Sequence, residues 1–315
     1  MPRRSLHVSL ATLISLACSG HAAALEAPAE PSEGPERLAA SDPGSPGPGG
    51  RAALTTGAPA APESPGDRAP TSLREAQSAD EDALPCRPTI ACTADIVSAG
   101  KLEVEAGYAG RGHGSGFQSS TPVILKLSVT DAWQLQVGTN GFVHEQATAA
   151  YVDDVVVAVK YRLTEQDGSR PAMAISVGLG IPTPGAQLGY QPGYDANVTA
   201  YASKDLGPVH ADLNLAATLM DVASARIVQP LAALSLSTEV AGRRLIPMIE
   251  AYWFGQAGSL APSDHGLLMA VGVAATRGVI FDVGGDYGMG GQDRRFTLFV
   301  GVTALTSRLW EPAMR

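Results

Sequence analysis

From residue 100 onward the chain alternates apolar and polar positions in runs of about ten residues, the period-two signature of a β-strand. In "GVIFDVGGDYGM", residues 278–289, Val279, Phe281, Val283 and Tyr287 share one side, while Asp282, Asp286 and glycines share the other. About twelve such segments are legible, near 100–109, 121–130, 132–142, 152–164, 170–181, 195–206, 208–218, 228–240, 244–254, 266–276, 278–288 and 293–305. Most approach the roughly nine to eleven residues that a tilted strand needs to cross a hydrocarbon layer, against about five or six in globular sheets.

Their connections alternate in length. Tight turns follow the even segments: "TDA" around Asp131, "EQDGS" from Glu165, "LGP" from Leu206, "AGR" from Ala241 and "TRG" from Thr276. Longer Gly-, Ser- and Pro-rich loops are expected from Gly110, Val143, Pro182 and Gly255. An up-and-down membrane barrel sorts its connections this way, with short turns on the periplasmic side and long loops outside.

The two faces decide between a soluble sheet and an inside-out one. One carries Leu102, Val104 and Tyr108, then Val123, Leu125 and Leu127, and continues through Val157, Val177, Leu213, Leu298 and Val300. The other carries Glu103, Glu105, Lys126, Gln134, Gln136, Asp154, Lys160, Arg162, His210, Asp212, Asn214, Glu239, Asp282 and Asp286, the candidate lumen residues. A solvated polar face would leave the apolar face in need of a second sheet or a helical layer, and no segment of suitable pattern remains to supply one. Closing the sheet removes its edges and lets lipid cover the aliphatic side. The expected fold is therefore all-β, an antiparallel transmembrane barrel of about twelve strands. Trp133, Phe142, Tyr151, Tyr161, Tyr252, Trp253, Phe254 and Tyr287 fall near strand ends, as interfacial girdles do.

What precedes the barrel differs in character. Residues 1–24 join two early arginines, an apolar run from Leu6 to Ala17 and small residues at Ala22 and Ala24, the layout of a cleaved export signal. Cys18 admits the alternative of a lipoprotein acceptor, although Ser15 stands where Leu is preferred. Residues 25–85 are rich in Pro, Ala and Gly, lack aromatic residues and hold eleven acids and four bases, so they read as a disordered spacer. The overall charge of -9 thus belongs mostly to the spacer, and it disfavours nucleic acid as a partner.

Cys86 and Cys92, in "CRPTIAC", read as a disulfide that clips a lead-in over 86–99, because a lone pair without neighbouring histidines supplies too few ligands for tetrahedral zinc. The barrel is expected over 100–305, with a tail at 306–315.

The stretches "ACTADIVSAGKLEVEAGY", "TPVILKLSVTDAWQLQVGTNGF", "DDVVVAVKYRLTEQDGSRPAMAISVGLGIPT" and "GPVHADLNLAAT" resemble the outer-membrane barrels of the family named for the MetA pathway of phenol degradation. The resemblance spans about residues 93 to 305 and rests on a Gly-Lys-Leu-Glu-Val-Glu first strand, a Thr-Asp turn, an Asp-Asp start to the fourth strand and an Ile-Pro-Thr strand end. It implies a barrel in the outer membrane and a role in transport of hydrophobic or aromatic compounds; the proline-rich extension falls outside it.

Catalysis finds little support. A barrel lipase needs a lipid-facing Ser with a His in reach. His113 and Ser115 in "GRGHGSGF" fail the nucleophile-elbow pattern, and His144, His210 and His265 have no serine at a suggestive spacing. No catalytic residue, cofactor or metal is expected. Asp282 and Asp286, roughly 13 Å apart along one strand face, are too distant to share a proton. The expectation is a monomeric outer-membrane channel for small, hydrophobic or aromatic solutes, with lipid as its surroundings. The alternative is a non-conducting structural or surface-binding barrel with a lumen plugged by its own ion pairs.

Overall fold

The computed structural model describes residues 82–113, 116–146, 149–183, 194–222, 225–257, 263–290 and 294–310. Ahead of these it describes only two three-residue strands, Val8–Leu10 and Ala23–Leu25, which pair with each other. The signal segment, Cys18 and the spacer to residue 81 otherwise lie outside the described residues.

Twelve antiparallel staves form the wall. They are β1 (Leu102–His113), β2 (Gly116–Ser120, resumed at Val123–Ser128), β3 (Trp133–Thr139, resumed at Phe142–Glu145) and β4 (Tyr151–Val152, resumed at Val155–Thr164). Then follow β5 (Ala172–Ile181), β6 (Asp195–Leu206), β7 (Val209–Val222) and β8 (Ala225–Thr238). The last four are β9 (Leu245–Phe254), β10 (Asp264–Thr276), β11 (Val279–Gly288) and β12 (Arg295–Leu305). Each pairs with its neighbour in sequence, and β12 returns to β1 through Phe299↔Ala109, Gly301↔Gly107 and Thr303↔Glu105. The ring is closed, so no strand edge is left to be covered.

The breaks in β2 to β4 have local causes. Pro122 lacks the N–H that a ladder needs, and Gly141 has a φ of 65°, a left-handed conformation that glycine adopts without a Cβ penalty. Asp153 fills the break in β4, its carboxylate accepting from Asn140 Nδ2 at 2.5 Å.

Exposure along each stave is inverted relative to a soluble protein. Val177 and Met269 are each 61% exposed, whereas Glu103 and Glu105, on the inner face of β1, are fully buried. β5 alternates without exception, buried then exposed, over all ten residues. Its inner side is small, with Ala172, Ala174, Ser176 and glycines, and its outer side is Met173, Ile175, Val177 and Leu179. Only a non-aqueous surrounding makes that distribution stable, because each aliphatic side chain left in water forfeits roughly 1.5–3 kcal/mol of burial.

Three expectations need correction. The stretch from Gly110 is not a long loop: β1 runs to His113 and β2 restarts at Gly116, with Arg111 opposite Gln118 in the ladder. Glycine and serine read as loop signals locally, yet a strand already paired on its other side carries them upward. The β7–β8 hairpin likewise extends to Val222 and back from Ala225, further than the apolar pattern indicated. Tyr252 and Phe254 do not join an interfacial girdle; alternation places both inside the lumen and leaves Trp253 outward. Trp133, Phe142 and Tyr287 do face outward.

Candidate functional site

The lumen is occupied. Residues 82–99 leave the barrel's short-turn end, cross its interior and return to Gly100 at the foot of β1, and nearly every residue from Cys86 to Ala99 is buried. This segment contains no helix or strand, so its backbone donors need partners from elsewhere.

The wall supplies them. Glu103 accepts from Leu84 N at 2.6 Å, and Glu105 accepts from Cys86 N at 2.9 Å and Arg87 N at 2.8 Å. Across the bore, Glu250 on β9 accepts from Ile90 N at 2.9 Å and Ala91 N at 2.7 Å. Asn214 on β7, with its amide turned to suit, accepts from Cys92 N at 2.8 Å and donates to Cys92 O at 2.9 Å. Ser203 Oγ on β6 accepts from Ala94 N at 2.6 Å.

Two lysines answer from the other side. Lys126 pairs with Glu103 and, at 2.6 Å, with Glu105, and donates to Leu84 O. Lys160 donates to Thr93 O at 2.5 Å and Asp95 O at 3.1 Å, and its ammonium lies 4.6 Å from the centre of the Tyr201 ring. The charge network expected to fill the bore is thus arranged mainly around a segment of chain. That segment occupies the lumen because buried carboxylates and ammonium groups need hydrogen-bond partners that their mutual pairing alone leaves short.

An apolar contact completes the seat. The Cys86–Cys92 disulfide, Ile90, Ala91 and Ala94 pack in one cluster with Ala172, Ala174, Tyr201, Met220, Leu231, Ala233, Tyr252 and Phe254 of β5 to β9. β6 and β8 turn part of their inner faces to this cluster through Tyr201, Leu231 and Ala233.

Arg87 takes a different seat. Its guanidinium lies over the facing glycines Gly107 and Gly301, where a Cβ at Gly107 would collide with it and one at Gly301 would fall 2.8 Å from Nε. Its Nη2 stands 3.9 Å from Asp282 Oδ1 and donates to Val300 O at 3.5 Å.

Beside the segment, at the short-turn end, is a cavity of about 450 Å3 that reaches Arg87, Thr89 and Thr93 from between β6 and β11. His210 stands in its wall with Nδ1 2.6 Å from Asp205 and Nε2 3.1 Å from Asp212, and Ser203 Oγ donates to Asp212 at 2.5 Å. Both imidazole nitrogens meet carboxylates and the Ser203 hydroxyl donates to Asp212, an order unlike the serine–imidazole–carboxylate sequence of a nucleophilic triad. His144 and His265 are exposed, and the side chains of His113 and Ser115 are outside those described. Towards the long-loop end lies a second polar group, in which Arg295 pairs with Asp264, its Nη2 donates to Tyr252 Oη at 2.6 Å, and Tyr252 Oη donates to Asp286 at 2.7 Å.

Of the candidate lumen residues, Glu103, Glu105, Lys126, Gln134, Gln136, Lys160, Asn214, Asp282 and Asp286 are buried inside the ring. His210 and Asp212 are half-buried in the cavity wall, and Arg162 sits near the short-turn rim paired with Glu165 at 2.6 Å. Asp154 lies at the break in β4 and accepts from Thr183 N at 2.8 Å. Glu239 needs correction as a mid-stave residue: β8 ends at Thr238, so Glu239 stands exposed in the turn, 3.2 Å from Arg243, at the mouth of the short-turn cavity. Glu250, Arg111 and Arg295 were not anticipated. Glu250 sits in the apolar run "LIPMIEAYWF", where alternation did mark it as the lone inward charge; Arg111 and Arg295 stood in stretches read as loop or strand margin.

Among solved structures, an outer membrane channel from Pseudomonas putida F1 superposes with a TM-score of 0.52 at 15% identity, covering 67% of this chain and 97% of that one. This is the fold of an outer-membrane β-barrel. The NanC porin gives 0.48 at 11% identity, over 64% of this chain and 98% of its own. The KdgM porin, solved with oligogalacturonate, gives 0.44 at 8% identity over the same shares. No family model and no curated protein matches the chain.

Proposed function

We propose that the chain is exported to the outer membrane and acts there as a passive channel for small solutes, closed by its own residues 82–99 and opened when that segment leaves its seat. The observation that carries this reading is the way the seat is built: wall side chains on β1, β6, β7 and β9 hold the segment, yet no ladder ties it into the sheet. Its departure therefore leaves the twelve-stave ring intact. The apolar surface that Ile90 covers, with Tyr201, Tyr252 and Phe254, would then face the bore and suits solutes with a hydrophobic or aromatic part. The sequence resemblance to the phenol-degradation barrels is in keeping with that preference.

A second reading, a permanently sealed structural barrel, draws on the same apolar cluster and its disulfide, which favour a fixed plug. Planar-bilayer recordings separate the two. The full chain is expected to show a low or absent conductance, and a chain lacking 82–99 is expected to show stepwise conductance. A membrane that stays sealed with the deleted chain, shown by circular dichroism to retain its β-barrel, would overturn the channel reading.

A further inference from the structure

The seat of Arg87 is chemically more specific than a latch requires. Two glycines, Gly107 on β1 and Gly301 on β12, face each other in register and remove side-chain bulk from the inner wall, so that a flat group lies directly on backbone. Asp282 projects beside this floor, 5% exposed, and Val300 O offers a carbonyl. A planar, weakly hydrated cation with several N–H donors is the chemistry that matches such a surface, and guanidinium is that group.

Arg87 fills the seat imperfectly. At 3.9 Å from Asp282 it is well beyond the roughly 2.7–2.9 Å of a charge-assisted pair. Arg87 Nε and Asp282 Oδ1 are both buried without a hydrogen-bond partner among the described residues. The tether explains the misfit, since Arg87 N is held by Glu105 and its neighbours by the disulfide and Glu250. A guanidinium free of that backbone could close on Asp282 with two parallel N–H donors. The cavity of about 450 Å3 is bounded by Arg87, the side chain that covers the seat, so truncating Arg87 extends this space from the short-turn mouth towards Asp282.

We propose that Gly107, Gly301, Asp282 and Val300 O form a binding site for the guanidinium or amidinium end of a small organic cation, which Arg87 occupies as an internal stand-in. The proposal rests on the channel reading for its role in passage, since the site lies on the bore that the plug closes. Binding at the site, by contrast, does not need conduction.

The experiment uses the full chain with Arg87→Ala, which empties the seat and leaves the rest of the plug in place, purified in detergent and probed with methylguanidinium against tetramethylammonium. Methylguanidinium is expected to bind the R87A chain about tenfold more tightly than tetramethylammonium, because only it forms a bidentate charge-assisted pair. The preference is expected to vanish in R87A/D282N, with R87A/T297S as a control at a neighbouring inward position on β12. Equal binding of the two cations, or a preference that survives D282N, overturns the site. If R87A/D282N does not fold, R87A/G301A, whose added methyl falls 2.7 Å from Asp282 Oδ2 and fills the floor of the seat, is expected to lose the preference in the same binding assay, and a preference that survives it overturns the site. Conductance failing in every plug variant while selective binding persists would sink the channel reading and leave the site standing.

Discussion

Glu250 offers a measure of how firmly the plug is held. Its carboxylate is 1% exposed and accepts from two plug amides, Ile90 N at 2.9 Å and Ala91 N at 2.7 Å. Glu250→Ala leaves the β9 ladder untouched, because the side chain takes no part in strand pairing, but it strands both donors inside the seat. A hydrogen bond to a charged group contributes about 1.5–3 kcal/mol net. Water entering the vacated space restores part of this, so a loss near 3 kcal/mol for the pair is the working figure. By the rule of one decade per about 1.4 kcal/mol, the fraction of molecules with the plug displaced should rise on the order of 100-fold. Amide hydrogen exchange reads this directly, since Ile90 and Ala91 are reported by the plug and not by the wall. The expected result is exchange accelerated on that order at Ile90, Ala91 and Cys92, with amides of β9 unchanged. Protection of Ile90 and Ala91 equal to that of the parent chain would refute the reasoning, as would a loss of protection spread evenly over the barrel.

Reduction of Cys86–Cys92, or its replacement by serines, should weaken the plug by about 2 kcal/mol through the freed loop entropy; protease cleavage between residues 82 and 99 should speed up while the barrel's heat-dependent gel shift stays the same, and an unchanged cleavage rate counts against an independently mobile plug. Lys126→Met strips the ammonium that pairs with both Glu103 and Glu105 and should destabilise the folded barrel by about 3–5 kcal/mol, the cost of leaving buried carboxylates uncompensated; urea titration in lipid vesicles measures it. Val177→Arg, at mid-stave on the outer face of β5, should cost about 2–4 kcal/mol in the same assay, and a neutral result would deny that lipid covers that face. Gly301→Ala places a methyl 2.7 Å from Asp282 Oδ2 and 2.8 Å from Arg87 Nε, so it should unseat Arg87 and raise the displaced-plug population, measured by exchange at Arg87 N.

The barrel was legible from residue order because a lipid-facing stave must alternate along its own length, and no distant contact is needed to state that. Val123, Leu125 and Leu127 against Lys126, or Phe281 and Val283 against Asp282, carry the inside-out pattern within five residues. The tight turns at Asp131 and Gly207 fixed the up-and-down connectivity in the same local way. Stave ends were less legible, since Arg111 to His113 enter β1 only through pairing with β2 and β12.

What the segment 82–99 does could not be read from its own residues. "CRPTIACTADIVSA" has no strand period and no helical period, because its backbone is satisfied by Glu105, Glu250, Asn214 and Ser203, which lie from 18 to 160 positions away. Sequence determined that these side chains face inward, and it left open what they hold. Only ring closure brings β1, β6, β7 and β9 round a common interior, and a common interior of buried donors and acceptors must be filled by something that matches them. Residues 82–99, just ahead of β1, meet that demand, and so the tertiary structure, rather than any local pattern, decided what occupies the interior of this barrel.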